Sequence, residues 1–390
     1  MLHNLIDHNA DLRRLQVEGY SLKIVDGYLA IYNIPYVNVK KEVCSNGVLV
    51  STLEINGKQV LKPNTHVVYF AGQEPHDQEG KIISSIIHSK SNIVLSDGVT
   101  TTLSFSNKPS AGYSDYYEKM TNYIRIISAP AMTLDSSVTP RKNIIIESEC
   151  ESVFNYEDTN SSRACITNMS ANLKSQKIGI IGVGGTGSYV MDFIAKTPVQ
   201  EIHIFDGDEF LQHNAFRCPG APSLLELEEK QYKVFYLSKI YSRMHKKVIA
   251  HEQFLNDENL SLLENLNFVF LCIDTGSIKK IIVDFLMSKE ISFVDVGMGL
   301  YDENNKIGGI VRTTISTENN RDTFFNRVSI VDSDEEDVYT TNIQIAELNA
   351  LNAALAVIKW KKLSNYYHDL TSEFHSTYTI STGQLLNEEN

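Results

Sequence analysis

Residues 177–196 read KIGIIGVGGTGSYVMDFIAK, and this stretch decides the fold of the C-terminal part of the chain. KIGIIGV (177–183) is a short apolar run typical of a buried strand, whereas GSYVMDFIAK (187–196) has the pattern of a helix. A glycine loop joins them: Gly182-Val183-Gly184-Gly185-Thr186-Gly187. Backbone N–H groups at such a turn, together with the positive end of the helix dipole, favour a bound phosphate. The four glycines therefore predict a nucleotide site.

The sequence beyond this stretch alternates strand-like and helix-like segments. In chain order these are EIHIFDGD (201–208), KVFYLSKIYSRMHKK (233–247), NFVFLCID (267–274), IKKIIVDFLMSK (278–289) and ISFVDVGMG (291–299). Strands that alternate with helices of this length imply β-α-β units and a parallel sheet. A long, alanine-rich helix is predicted over residues 341–362.

The N-terminal part of the chain has a different pattern. From about residue 20 to 130, short apolar runs are separated by turn dipeptides: Asp26-Gly27, Asn46-Gly47, Asn56-Gly57 and Asp97-Gly98. Each dipeptide supplies the positive φ angles of a tight hairpin, and residues 92–105 form the clearest hairpin pattern. Proline, serine and charge then dominate residues 130–165, which is typical of a linker. We therefore predict a β-rich domain over 1–140 and a second domain over 141–390.

Composition excludes several classes of protein. The chain has 390 residues and a formal net charge of −13. This acidic balance argues against a protein that binds the phosphate backbone of a nucleic acid, because such proteins normally have a basic face. No signal peptide and no membrane-spanning run is visible. The five cysteines lie apart, without a CxxC pair, which favours a reducing cytoplasm over disulfides or a zinc cluster: Cys44, Cys150, Cys165, Cys218 and Cys272. The acidic run at 332–337 is interpreted as a solvated loop.

An acidic residue ends the strand that follows the glycine loop. Asp206 lies about 20 residues onward, where a carboxylate accepts hydrogen bonds from ribose hydroxyls. This arrangement suits an NAD-dependent oxidoreductase and an ATP-using enzyme equally. The residues after Asp206 favour the ATP-using enzyme, because an NAD-dependent oxidoreductase would not explain the presence of Asn214, Arg217 and Lys233.

These polar residues carry a resemblance to the ThiF/MoeB superfamily, which includes the ubiquitin-activating enzymes. The family pattern is DxDxVxxSNxxRQ after a GxGGxG loop, and four anchors match its spacing: Asp206, Asp208, Asn214 and Arg217. Lys233, with Arg243 ten residues later, is similar to the lysine helix of the family. Asp274 resembles the aspartate at the end of a later strand, and residues 295–314 resemble the segment that leads into the crossover loop. The resemblance covers about residues 160–362.

The resemblance implies an α/β fold, with a Rossmann-like parallel-sheet adenylation domain and a β-rich N-terminal domain. It implies an ATP-dependent adenylyltransferase that activates the C-terminal carboxylate of a ubiquitin-like protein. Asp206 would hold ribose, and Asp208 would stabilise the loop or act in catalysis. The phosphates would be held by Asn214, Arg217 and Lys233, and Mg²⁺ by Asp274. Arg163 would enter the ATP site of a second protomer, which implies a homodimer, and a conjugating enzyme would be a further partner.

The sequence departs from the family in ways that concern the acyl carrier. Many members form a thioester on a cysteine, but the matching crossover loop, residues 311–341, contains none. Cys272 is interpreted as a core residue within an apolar strand. Cys218 stands where the family has glutamine and His213 where it has serine. The cysteine distribution therefore supports adenylation and leaves thioester formation in doubt.

Two further functions fit the same residues. The substrate could be a sulfur-carrier protein or a peptide, with the adenylation chemistry unchanged. The chain could also be a non-catalytic adaptor that retains the fold and the dimer interface.

Overall fold

The computed structural model describes residues 2–144, 146, 152–274, 276–328 and 343–389. Its contacts divide the chain into two units, residues 1–152 with 156–171 and residues 153–155 with 172–390. The roles assigned to residues 1–140 and 141–390 stay predictions. Cys150 and the acidic run at 332–337 lie outside the described residues.

The first unit is built on an antiparallel sheet. Its strands are β1 (Ser21–Val25), β2 (Tyr28–Val37), β3 (Val43–Thr52), β4 (Ile55–Asn56), β5 (Gln59–Val60), β6 (Val67–Ala71), β7 (Ile87–Lys90) and β8 (Leu103–Ser106). Six of them form one sheet in the order β1-β2-β3-β6-β8-β7, and β4 pairs with β5. Four helices accompany the strands: α1 (Leu2–His8), α2 (Ala10–Val17), α3 (Tyr116–Leu134) and α4 (Thr159–Arg163). The predicted β-rich character is confirmed.

The sequence interpretation missed α3, the helix that covers this sheet. Asp115 begins it, because its side chain accepts a hydrogen bond of 2.7 Å from the backbone N–H of Glu118. Residues such as Met120 and Ile127 are buried against the sheet. The predicted hairpin over 92–105 is confirmed, since β7 and β8 are antiparallel. Between these two strands, backbone hydrogen bonds from Thr101 to Ile93 and from Leu95 to Val99 close the turn at Asp97-Gly98.

The second unit contains an eight-stranded sheet. Its strands are β9 (Lys177–Ile181), β10 (Glu201–Phe205), β11 (Val248–His251), β12 (Phe268–Leu271), β13 (Ser292–Glu303), β14 (Lys306–Ser316), β15 (Glu373–Thr379) and β16 (Gln384–Glu389). The order is β11-β10-β9-β12-β13-β14-β15-β16. The pairs from β11 to β13 are parallel, and the last three pairs are antiparallel. The predicted α/β fold with a Rossmann-like parallel sheet is confirmed.

Helices lie along the second unit as the alternation predicts. They are α5 (Gly185–Ala195), α6 (Gln212–Ala215), α7 (Leu224–Glu228), α8 (Lys233–Tyr241), α9 (Gly276–Ser288), α10 (Arg321–Phe324) and α11 (Ala346–Leu363). One core contains residues of α5, α8 and α11 against one set of strand side chains. A second core contains residues of α9 against the alternate set, since successive residues of a strand point to opposite faces. Part of the predicted crossover loop belongs to β14 and α10.

The register brings the ends of the central strands to one level. Ile181 pairs with Phe205 on one side and with Leu271 on the other, and Leu271 pairs with Asp295. The strand order reverses between the neighbouring strands β9 and β12, with β10 and β11 on one side and β13 on the other. Parallel sheets bind ligands at such a switch point. The segments after these strands therefore meet at a single edge.

Across the described part of the chain, none of the helices combines the length and the apolar character that crossing a bilayer requires.

Candidate nucleotide-binding site

The glycine loop between β9 and α5 makes a tight turn in which Gly182 and Gly187 lie very close to neighbouring backbone atoms. Gly182 has φ +81°, and a Cβ atom built there would lie 2.6 Å from the carbonyl oxygen of Cys272. A Cβ atom on Gly187 would overlap the carbonyl oxygen of Gly182. Gly184 differs, because a Cβ atom there would meet nothing within 4 Å. The loop is therefore closed on the protein side and open at Gly184, where a ligand can approach the backbone.

Asp206 ties the glycine loop to the segment that follows β10. Its Oδ2 accepts a hydrogen bond of 2.9 Å from the N–H of Val183, and its Oδ1 accepts one of 2.9 Å from the N–H of Asp208. The residue is buried at the sheet edge. Oδ1 also accepts a longer bond of 3.4 Å from Nζ of Lys233. A carboxylate has about four acceptor sites, so these three bonds leave room for one hydroxyl donor.

Lys233 opens α8 and lies between two carboxylates. Its Nζ is 2.5 Å from Oδ2 of Asp208 and 3.4 Å from Oδ1 of Asp206. Only 6% of Lys233 is exposed, whereas 58% of the Asp208 side chain is exposed. The structure thus brings three of the predicted site residues into one ion-paired group beside the glycine loop.

Asn214 and Arg217 present buried donors. Oδ1 of Asn214 accepts a hydrogen bond of 2.9 Å from the N–H of Leu211. Within the described ranges of the chain, its Nδ2 and the Nε of Arg217 are buried without a hydrogen-bond acceptor. A buried donor without an acceptor costs about 1–3 kcal/mol. Both atoms are therefore suited to an acceptor that a ligand brings.

Asn349, which the sequence interpretation missed, connects these groups. Its Oδ1 accepts a hydrogen bond of 3.0 Å from the hydroxyl of Thr186, and its Nδ2 lies 3.4 Å from the carbonyl oxygen of Arg217 as a donor. The side chain is buried in α11. The sequence could have indicated Asn349, because an asparagine on the buried face of a largely apolar helix needs hydrogen-bond partners for its amide.

Phe254 is a second residue that the sequence interpretation missed. A Cβ atom on Gly207 would lie 2.6 Å from the Phe254 ring, so the ring covers the residue next to Asp206. The side chain is nonetheless 63% exposed. Nothing in the sequence marks it, since it lies in a loop after β11. An exposed ring beside the aspartate that is predicted to bind ribose is suited to stacking on a nucleotide base.

Asp274 follows β12 by three residues and is exposed. Among the described residues, no group of three or more His, Cys, Asp or Glu side chains is arranged to hold a metal. Mg²⁺ commonly binds through one or two carboxylates together with phosphate oxygens and water. A single aspartate at this edge therefore fits Mg²⁺ that arrives with a nucleotide, and it does not fit a resident metal centre.

The cysteines near the site are held as thiols. Cys272 lies one residue beyond β12, not within the strand as predicted, and it is half-buried. Burial raises its pKa, and the nearby charges of Asp295 and Asp274 act in the same direction. Burial also raises the pKa of Cys218 to about 11. Since the thiolate is the nucleophile, both residues are poor acyl carriers near neutral pH.

Arg163 lies in the first unit, at the last position of α4. Its Nε is 3.8 Å from Oε1 of Glu54, and its side chain is largely exposed. The predicted role of Arg163 in the site of a second protomer stays a prediction.

The fold and the glycine-loop edge are typical of a nucleotide-binding domain. A family model for the ThiF family matches residues 159–379, more than half of the chain. The chain belongs to the ThiF family. A second model, described as a domain of unknown function (DUF6791), matches residues 10–159.

Solved structures of low sequence identity are similar to part of the chain. One is E. coli MccB with MccA-N7isoASN, which is 14% identical, covers 60% of this chain and 72% of its own, and has a TM-score of 0.45. Another is PaaA, which is 16% identical, covers 63% and 86%, and has a TM-score of 0.46. A third is E. coli MccB with ATP, which is 14% identical, covers 57% and 66%, and has a TM-score of 0.41. No curated protein sequence matches the chain.

Proposed function

We propose that the protein uses ATP to adenylate the C-terminal carboxylate of a ubiquitin-like protein. The observation that carries this proposal is the pair of buried donors, Asn214 Nδ2 and Arg217 Nε, for which the described residues provide no acceptor. Asn349 links the backbone carbonyl of Arg217 to the hydroxyl of Thr186 in the glycine loop, so the segment that carries both donors lies beside that loop. ThiF-family adenylyltransferases use ATP, which supplies such acceptors.

The proposed reaction forms an acyl-adenylate. A carboxylate oxygen attacks the α-phosphorus of ATP, the bond from that phosphorus to the bridging oxygen breaks, and its electron pair leaves with pyrophosphate. No proton needs to move. Arg217, Lys233 and the backbone N–H groups of the glycine loop would stabilise the negative charge that develops on the phosphate oxygens. A ribose hydroxyl would donate to Asp206.

Asp274 is the residue that would hold Mg²⁺. The ion supplies charge neutralisation on the phosphates when it is bound with ATP. Asp274 lies on the segment after β12, next to the glycine loop across the switch point of the sheet.

The partners belong to the same proposal. The β-rich domain over 1–140 would recognise the ubiquitin-like substrate or a conjugating enzyme. A homodimer would place Arg163 of one protomer in the ATP site of the other. We propose a cytoplasmic location, because the acidic chain and its dispersed cysteines suit a reducing compartment.

The proposal is tested by ATP–pyrophosphate exchange with purified ubiquitin-like proteins. We expect exchange with the wild-type chain and a loss of about a hundredfold in Arg217→Ala, because one charged phosphate contact is removed. Arg327→Ala is the matched control, since Arg327 pairs with Glu388 away from the glycine loop. ATP binding without exchange with any partner would count against the proposal and favour an adaptor. Exchange with a sulfur-carrier protein or a peptide alone would change the substrate class.

Phe254→Ala is expected to weaken ATP binding by about tenfold, because stacking between a ring and a base contributes roughly 1–3 kcal/mol. The free energy of unfolding should change little, since the ring is largely exposed. Calorimetric titration with ATP and with inorganic triphosphate measures the effect. Weakening that is equal for both ligands would contradict a role in base stacking.

A further inference from the structure

A group of buried charges in the second unit is not explained by the nucleotide site. Nζ of Lys279 lies 2.7 Å from Oδ1 of Asp295, and NH2 of Arg312 lies 2.6 Å from Oδ2 of the same residue. Asp295 is fully buried, the Lys279 side chain is 7% exposed and the Arg312 side chain is 18% exposed. One anion therefore lies between two cations in the protein interior.

The charges of this group do not cancel. Among these three side chains, two cations face one carboxylate. Asp274 is a further carboxylate nearby, since its charge acts on Cys272 together with those of Asp295 and Lys279. Removing a charge from water is unfavourable, and a single carboxylate fully compensates only one cation. His375, which shares a hydrogen bond with Thr314, adds no charge near neutral pH because burial lowers its pKa. An incoming anion would balance the group.

The strand register places Arg312 at the edge where the nucleotide site lies. Asp295 is paired with Leu271, the last residue of β12, and Arg312 is paired with Gly297, two residues further along β13. Two residues of strand correspond to roughly 7 Å. Arg312 is thus level with the segment that leads to Asp274.

Arg312 is the member of the group that can reach a ligand. Its NH1 donates to the hydroxyl of Thr314 at 2.9 Å and its NH2 donates to Asp295, which are two of five N–H donors. Gly297 makes room for the guanidinium, since a Cβ atom there would lie 2.6 Å from NH2. Arg312 is more exposed than either of its charged neighbours.

We propose that Arg312 receives the carboxylate of the substrate polypeptide, while Asp295 fixes the guanidinium and Lys279 maintains the positive charge of the group. The inference rests on the proposed adenylation, because it assigns the second reactant of that reaction. A planar guanidinium binds a carboxylate through two parallel hydrogen bonds, which orients the carboxylate as well as attracting it. The ligand is a polypeptide with a free C-terminal carboxylate, and an amidated C-terminus is excluded.

The test uses N-acetylglycine, which ends in the same carboxylate as a polypeptide, and N-acetylglycinamide as its neutral counterpart. Binding to the full chain is measured by saturation-transfer NMR, without nucleotide and with a non-hydrolysable ATP analogue. We expect binding of N-acetylglycine and little binding of the amide. Arg312→Gln should bind N-acetylglycine about tenfold more weakly, because one charge-assisted contact is lost.

The variants are chosen to keep the fold. Arg312→Gln leaves Asp295 paired with Lys279, and Lys279→Met leaves it paired with Arg312, so each variant retains a one-to-one ion pair. Lys279→Met should lose less affinity than Arg312→Gln, because the contact with the carboxylate remains. Arg327→Gln is the control and should bind N-acetylglycine as the wild type does. Thermal unfolding midpoints confirm that each variant is folded.

Two results would overturn the inference. The first is that the wild-type chain binds N-acetylglycine no better than N-acetylglycinamide. The second is that Arg312→Gln binds N-acetylglycine as tightly as the wild type, or loses no more affinity than Lys279→Met. Binding of the ATP analogue is measured on the same samples. Carboxylate binding that depends on Arg312, in a chain that binds no nucleotide, would retain this inference and refute the proposed adenylation.

Discussion

Lys233→Met is expected to remove adenylation activity almost completely and to destabilise the second unit. The ammonium lies 2.5 Å from Asp208 and 3.4 Å from Asp206, and the buried Asp206 also holds the glycine loop. Without the ammonium of Lys233, the carboxylates of Asp206 and Asp208 repel each other, and the buried Asp206 has no counter-charge. We expect a loss of about 3 kcal/mol in the free energy of unfolding. The exchange rate should fall by at least about a hundredfold, since a predicted phosphate contact is also lost.

Urea unfolding and pyrophosphate exchange measure the two effects separately. Lys239→Met is the matched control, because Lys239 lies on the same helix, is exposed, and is 3.7 Å from Glu229. This control should change stability by less than about 1 kcal/mol. If Lys233→Met unfolded like its control and retained exchange, the role of Lys233 at the site would be refuted.

Gly187→Ala is expected to separate the start of α5 from the glycine loop. The position is helical and has no unusual φ angle, so the effect is steric: the added methyl group would overlap the carbonyl oxygen of Gly182 and lie 3.2 Å from Cβ of Cys272. Backbone atoms must move to accommodate it, which costs about 1–3 kcal/mol or more. Nucleotide binding should be lost with the shape of the loop. Calorimetric titration with ATP and thermal unfolding measure both changes.

Gly184→Ala is the matched control for this steric effect, because its added methyl group meets no neighbouring atom within 4 Å. We expect unchanged stability and weaker ATP binding, since the methyl group occupies the approach to the backbone. Equal loss of stability in both variants would show that the close approach at Gly187 is not the cause. Unchanged ATP affinity in Gly184→Ala would place the phosphates elsewhere.

Much of the second unit could be predicted from the sequence because its signals are local. The apolar strand, the glycine loop and the helix within 177–196 are contiguous, and their order requires a parallel sheet. The spacing of Asp206, Asp208, Asn214 and Arg217, taken together with the glycine loop and the later motifs, carries the resemblance to the family. The first unit was predicted less well, because hairpin dipeptides are visible in a sequence whereas α3 is a helix whose buried face is defined by the sheet beneath it.

The fold class of the second unit, the position of the glycine loop and most candidate site residues could be predicted from the order of the amino acids alone. These depend on neighbours in the chain, where hydrophobic period and glycine placement are read directly. Other features become visible only in the folded chain: Lys233 pairs with Asp206 and Asp208, Asn349 bridges Thr186 and Arg217, and Phe254 covers Gly207. The same holds for the charge left over at Lys279, Asp295 and Arg312. Such contacts join residues far apart in the chain, and their energies arise from burial and distance, which a linear pattern does not contain.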